Sequence, residues 1–228
     1  KDQDIDGWLK ECEIDDERRL SYLSRSIKGK SILDFGCGAG GLLIKLKFFT
    51  SHLYGVEPEL RLSEHFTNHD LTVFSNIEEI KQKNIKFDYI TLFHVIEHIK
   101  DPSLILSDLS KLLNDNGEMI IEVPNSQDAM ITLYDSDAYQ NFIYWSQHLY
   151  IFNEENLISL SKKSNLHLKK IKQIQRYPIS NHLYWLAKGL PGGHHKWKMF
   201  DSKELNKNYY KKLNNIKACD TLLGIFTN

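Results

Sequence analysis

An acid followed by closely spaced glycines, a second acid closing a later apolar run, and histidines after another such run carry the chemistry of this 228-residue chain. Ser31-Ile32-Leu33-Asp34-Phe35-Gly36-Cys37-Gly38-Ala39-Gly40-Gly41 joins a short apolar run to a glycine-dense loop, and Leu42-Leu43-Ile44-Lys45-Leu46-Lys47 reads as the opening of a helix. Strand, glycine turn and helix in that order form the first unit of a nucleotide-binding α/β sheet. Glycine lets the backbone turn sharply and approach a ligand, and the helix start offers unpaired N–H groups. Gly36, Gly38 and Gly40 give G-x-G-x-G, while Gly36, Gly38 and Gly41 give G-x-G-x-x-G, so spacing alone does not choose the ligand.

Asp34 narrows the choice between S-adenosylmethionine (SAM) and NAD. It lies two residues before the first glycine. A carboxylate there repels a dinucleotide's pyrophosphate, but it favours the ammonium and sulfonium of SAM. His52-Leu53-Tyr54-Gly55-Val56-Glu57 reads as a second strand, and its terminal acid falls seventeen residues past Gly40. Such a carboxylate can accept hydrogen bonds from both ribose hydroxyls of a nucleoside. Bonds of this charged kind are worth roughly 1.5–3 kcal/mol each.

The elements that position these groups follow in order. Pro58 suits the start of a helix over 59–66. Leu71–Phe74 reads as a third strand, and Ser75-Asn76-Ile77-Glu78 follows it. Phe87–Leu92 reads as a fourth, followed by Phe93-His94-Val95-Ile96-Glu97-His98-Ile99. Asp101 and Pro102 then cap a helix whose apolar face is Leu104, Ile105, Leu106, Leu109, Leu112 and Leu113, with Gly117 closing the segment. The fifth strand runs from Glu118 into Pro124 and Asn125. Strands alternating with helices imply a mostly parallel sheet with ligands beyond the strands' carboxyl ends. Gly36–Gly40, Glu57, Asn76, His94 and Asn125 all fall at that edge.

With these residues in place, Leu33–Gly40 resembles the first motif of the class I SAM-dependent methyltransferases. His94–Pro102 resembles the segment after the fourth strand in small-molecule methyltransferases, including the ubiquinone-type O-methyltransferases. The resemblance spans about residues 30–175. It implies an α/β, Rossmann-like, doubly wound sheet of seven strands with helices on both faces. That sheet would be mostly parallel, with an antiparallel last strand inserted beside the fifth. SAM would be the methyl donor and S-adenosylhomocysteine the product. Asp34, Phe35, Gly36, Cys37, Gly38, Gly40, Glu57, Pro58, Asn76, Ile77, Phe93 and His94 are the implied cofactor contacts. The family often carries an acid where Ser75-Asn76 stands; Asn76 would hydrogen-bond the adenine amine and Ile77 would pack on its face. An N-terminal helix often helps cover the cofactor in this family, which makes Trp8, Arg18 and Arg19 cofactor or substrate contacts.

One domain accommodates the chain: a cap-helix region over 1–28, a cofactor-binding core over 29–175, an insertion over 176–217 and a final strand over 218–228. Residues 1–14 are polar with isolated Ile5, Trp8 and Leu9. A helix is expected from the acidic turn at Asp15-Asp16-Glu17 through Leu20, Leu23 and Ile27 to the break at Lys28-Gly29-Lys30. Asn153 suits a cap for a helix over 154–164, Leu166–Ile174 reads as a sixth strand and Thr221–Phe226 as the last. The insertion mixes lysines with aromatics, among them Tyr177, Tyr184, Trp185, Trp197 and Tyr209. Such a surface suits a phosphate or nucleotide group, a sugar or a partner protein; equally, it suits a flap with a solvated lysine face. Asn125, Trp145, Tyr177, His182, His194 and His195 are the expected substrate contacts. No metal site is expected, since adjacent histidines at His194-His195 lack a supporting ligand set.

Methyl transfer is an in-line displacement, and a hydroxyl acceptor benefits from a general base. His148 leads the candidates because it follows the fifth strand on the substrate side; His94, His98 and Glu97 are the others, with an anchoring role for the loop as the alternative for Glu97 and His98. The expected reaction moves a methyl group to an oxygen or nitrogen of a small or medium-sized anionic acceptor. A sugar, nucleotide sugar or phosphate-bearing precursor of a bacterial surface polysaccharide fits, because the chain as a whole, including its Tyr177–Trp197 stretch, resembles bacterial methyltransferases of cell-surface polysaccharide synthesis. An RNA-modifying methyltransferase and a non-catalytic SAM- or partner-binding module are the alternatives. The 29 Lys and Arg balance 30 Asp and Glu, which argues against a dedicated nucleic-acid binder. Cys12, Cys37 and Cys219 are few and scattered, which suits a reducing, cytoplasmic setting. No apolar stretch reaches the length of a membrane span, and a homodimer is allowed.

Overall fold

The short apolar runs assemble as strands β1 (Ser31–Phe35), β2 (His52–Val56), β3 (Thr72–Phe74), β4 (Phe87–Phe93), β5 (Leu113–Pro124), β6 (His167–Ile174) and β7 (Thr221–Thr227). In the computed structural model, which describes residues 4–145 and 147–228, they form one sheet in the order β3-β2-β1-β4-β5-β7-β6. The first five are parallel, and β7 runs antiparallel between β5 and β6. This is the architecture that the sequence implies, with the last strand inserted beside the fifth.

Successive residues of a strand face opposite sides, so each apolar run feeds two cores. Leu33, Ile90, Leu92 and Ile121 pack on one side with Leu106 and Leu109 of α5 (Pro102–Ser110) and Leu157 of α8 (Glu154–Lys163). Ile32, Phe93, Ile120, Leu223 and Ile225 pack on the other with Leu23 of α1 (Ile5–Leu23) and with Leu42 and Leu46 of α2 (Gly41–Leu46). Each such buried side chain contributes about 1.5–3 kcal/mol. Asp34 shares the face of Ile32, and Glu122 shares that of Ile120. Both acids therefore point toward α1, in surroundings where a charge needs a partner.

The remaining elements are α3 (Ser63–Asn68), α4 (Ile77–Gln82), α6 (Ala129–Thr132), α7 (Asp137–Ile143), α9 (Ile179–Lys188), α10 (Gly193–Lys196) and α11 (Lys203–Asn215). Asp101 and Asn153 cap α5 and α8 as expected. Three boundaries differ from the sequence reading. Helix α1 begins at Ile5, capped by Asp4, so Asp15 and Asp16 lie inside it and not in its first turn. Helix α5 ends at Ser110, because Leu113 already pairs with Phe87 at the start of β5; Gly117 lies within that strand. The helix expected over 59–66 is a 3₁₀ turn, Leu60–Leu62, followed by α3.

The insertion is helical, formed by α9, α10 and α11 between β6 and β7. Lys203, Lys207, Lys211 and Lys212 on α11 are exposed. Among the described residues no helix is long and apolar enough to cross a membrane.

Candidate active site

The glycine loop leaves β1 at the carboxyl edge of the sheet. Gly36 and Cys37 both donate to the Val56 carbonyl, at 2.8 and 3.1 Å, which ties the loop to the end of β2. Glu57 follows at once, and its carboxylate accepts from the Gly38 N–H at 3.0 Å and the Glu59 N–H at 3.1 Å. Gly38 has φ +53, and a Cβ there would sit 3.0 Å from the Trp8 ring. Both the left-handed backbone and the indole seated on it require glycine. Burial pushes the Cys37 thiol far up, so it stays protonated.

Helix α1 lies across this loop with a charged face. Arg18 grips Glu122 with two hydrogen bonds, at 2.9 and 2.8 Å, and Arg19 adds a third at 2.8 Å. Glu122 is fully buried, and burial would raise its pKa; Arg19, His94 and Arg18 outweigh that and hold it well below the usual carboxylate range. Asp15 joins Arg18, at 2.8 Å, to Arg176 at the start of the insertion. The Arg19 guanidinium also stacks 4.6 Å above Phe93. Burial pushes both Asp34 and Asp16 up to about 6, although Thr91 donates to Asp34 at 2.6 Å and Arg19 opposes both shifts.

Between α1 and the loop lies a cavity of about 190 Å³ lined by Trp8, Cys12, Asp16, Arg19, Asp34, Gly36, Cys37, Gly38, Phe93 and His94, among others. A larger open hollow of about 440 Å³ lies between the start of α1 and α3, away from these groups.

His94 follows β4 with φ +58, a conformation unusual for a residue with a side chain. Its N–H donates to the Glu122 carbonyl at 2.8 Å, which fixes it. The ring lies between two buried acids, with Nδ1 3.2 Å from Glu97 and Nε2 3.3 Å from Glu122. Nε2 is out of hydrogen-bond alignment there, and among the described residues it and Glu97 Oε2 are buried without a bonded partner. Farther out, His98 Nδ1 meets the Gln147 carbonyl at 2.8 Å and His148 Nδ1 meets the Ile143 carbonyl at 2.6 Å. A ring nitrogen facing a carbonyl carries the proton, so both Nε2 atoms keep free lone pairs. The two rings lie 4.9 Å apart, and burial lowers the pKa of His148. Glu97, His98 and His148 each bring a ligand atom within 4.8 Å of the others, the donor types and spacing of a divalent-cation site. The sequence reading included no such group.

The other predicted residues divide. Phe35 is half-buried against the core, and Pro58 is exposed beside Glu57. Asn76 uses its side-chain oxygen to cap α4 through Glu79 N, and Ile77 is buried in the core. Asn125 is buried, donating to the Cys219 carbonyl at 2.7 Å and accepting from Gln127 N at 3.0 Å; its side chain braces the fold. His182 is buried against the Tyr209 hydroxyl at 2.6 Å, its pKa lowered by burial to about 4. The Tyr177 and His194 rings lie tilted at 5.3 Å, those of His194 and His195 at 4.0 Å, and neither histidine lines the cavity under α1. Trp145 is exposed, edge-on to His148. Sequence reasoning missed Asp16, Glu122 and the full reach of α1. The Arg18-Arg19 pair was the one available signal, since adjacent arginines on a buried helix face require an acid.

The chemistry of this edge is compatible with SAM: the Glu57 carboxylate stands at the glycine loop, Asp16 and Asp34 are buried acids at the cavity, and Arg19 Nε is buried without a partner among the described residues.

The comparisons agree with that chemistry. A family model described as a methyltransferase domain matches residues 11–171. A ubiquinone biosynthesis O-methyltransferase of Coxiella burnetii is 26% identical over 188 residues, covering 77% of this chain and 80% of the relative. A SAM-dependent methyltransferase from Archaeoglobus fulgidus superposes with a TM-score of 0.62 at 19% identity, over 96% of this chain and 94% of that one. A chain from the complex of the Haloferax volcanii Trm112 activator with a methyltransferase gives 0.64 at 13% identity, over 100% and 98%. With its sheet order, glycine loop and charged edge all in place, the chain belongs to the methyltransferase domain family and is a SAM-dependent class I methyltransferase.

Proposed function

We propose that the chain methylates a hydroxyl oxygen of a small aromatic acceptor, with His148 as general base. The observation that carries this reading is the pair of outward imidazoles: His148 and His98 hold their Nδ1 protons on backbone carbonyls and present free Nε2 atoms beside the cofactor edge. Around them stand exposed Phe142, Tyr144, Trp145, Leu149 and Tyr150, an apolar rim suited to a ring and poorly suited to a polyanion. The relatives named for ubiquinone biosynthesis act on oxygen, which supports the same choice. The anionic glycan acceptor expected from the lysine-rich insertion has less support, because the α11 lysines face solvent and line neither the cavity under α1 nor the hollow beside α3.

When bound, SAM supplies an activated methyl group whose C–S bond breaks as the C–O bond forms, leaving the electron pair on sulfur. The chain's residues do the rest. Glu57 and Gly38 hold the nucleoside, Asp34 favours the positive end, and Arg19 meets the carboxylate. His148 Nε2 takes the hydroxyl proton, and the Ile143 carbonyl stabilises the imidazolium through Nδ1–H. A cation held by Glu97, His98 and His148 is a second reading, favoured by their converging ligand atoms; it would polarise the same hydroxyl.

The test is methyl incorporation from labelled SAM into a panel of catechols, phenols and nucleotide sugars. Methylated phenols, with activity reduced roughly a hundredfold in His148→Ala, support base catalysis. Because the base must be unprotonated and its pKa is lowered, activity should rise with pH below about 6.5 and be flat above it. Loss of activity with a chelator, restored by zinc or magnesium, selects the cation reading. Labelling confined to nucleotide sugars contradicts the aromatic acceptor.

A further inference from the structure

The cofactor cavity holds more acid than its glycine-loop motif accounts for. Asp34 reaches it from β1 and Asp16 from α1, and each is 4% exposed. Asp16 is seated against the start of α2, where a Cβ on Gly41 would lie 2.4 Å from its Oδ2, so the carboxylate occupies the space that the glycine leaves. Its sole hydrogen-bond donor among the described residues is Arg19 Nη1, at a marginal 3.5 Å. Arg19 is itself committed to Glu122 at 2.8 Å, and its Nε is buried without a partner. The cavity thus has two buried carboxylates facing less than one full cation. Burying charge in this way is costly unless the set is completed. SAM brings the missing charge, since its amino-acid end carries an ammonium beside the sulfonium.

We propose that Asp16 is a second cofactor-binding carboxylate, which together with Asp34 receives the ammonium group of SAM and makes α1 part of the binding site. The proposal rests on the SAM assignment. It has a consequence for protons. The groups facing Asp16 are Arg19, Asp15 and Cys12 on its own helix, Asp34 on β1 and Lys45 on α2. In the free protein both acids sit at about 6. An ammonium favours their ionised forms, so binding at that pH expels protons.

Calorimetry on the full chain with two probes tests this. S-adenosylhomocysteine carries the ammonium and carboxylate; 5′-methylthioadenosine shares its nucleoside and thioether but lacks both. Asp16→Asn should weaken S-adenosylhomocysteine about ten- to a hundredfold and leave 5′-methylthioadenosine within twofold. Proton release at pH 6, read from the dependence of binding heat on buffer, should fall in the variant. Asp16→Ala carries the same prediction if the amide fails to fold. Unchanged S-adenosylhomocysteine affinity, or equal weakening of both probes, would overturn the proposal; the latter would make Asp16 a support for the loop. Wild-type protein that binds neither probe would remove the cofactor assignment, and this proposal with it.

Discussion

Glu122 shows how single side chains set the chemistry of this edge. It is fully buried, yet it stays ionised because Arg18 and Arg19 bring guanidinium groups to it from 104 and 103 residues away. Its backbone carbonyl also fixes His94. Glu122→Gln should destabilise the protein by about 3 kcal/mol, lowering Tm by roughly 6–12 °C in thermal unfolding at pH 7. Because the folded pKa is depressed, this contribution is complete above the ordinary value of 4.5 and is lost as pH falls through the folded value. An unchanged Tm would mean that the arginines find water or other acids. Glu122 could not be recognised in the sequence: within an apolar strand it reads as a solvent-facing position, and only its distant partners show otherwise.

At the scale of elements, the same physics hid the first half of α1. A helix normally announces itself by apolar residues every three or four positions. The buried face of α1 carries Asp15, Asp16, Arg18 and Arg19, so its periodicity is ionic and its first ten residues look like a polar tail. The caps of α5 and α8 were legible because capping is local, an acceptor within three residues of a free N–H. Helix α6 carries another buried acid. Asp128 accepts from Met130 N at 2.8 Å and from the Tyr139 hydroxyl at 2.6 Å, while burial and Asp220 push it up to about 7. A raised folded pKa means that the folded state holds the extra proton, so stability falls as pH rises from 3.8 toward about 7. Asp128→Asn should keep the cap, remove that slope and raise Tm at pH 8 by about 3 °C. A variant less stable than wild type at pH 8 would show that the ionised form is the one the fold uses.

The whole molecule was the most legible scale. Strand order and direction follow from alternating strands and helices, and they bring residues as distant as Gly38, Glu57, His94 and Glu122 to one edge. What the sequence withheld was how the covering parts close. Asp15 ties α1 to Arg176, so an ion pair joins the cap helix to the start of the insertion. The cavity under α1, about 190 Å³, is below the roughly 300 Å³ of a typical ligand site, so on our proposal it takes the amino-acid end of the cofactor and the nucleoside lies outside it, beside Glu57. The central claim is therefore that Glu57 and the glycine loop hold that nucleoside. Calorimetric titration with S-adenosylhomocysteine, wild type against Glu57→Ala, tests it most directly. One-to-one binding at roughly micromolar Kd, weakened about a hundredfold or more by the substitution, is the predicted result. Equal affinity in the two proteins would contradict the account and place the nucleoside elsewhere.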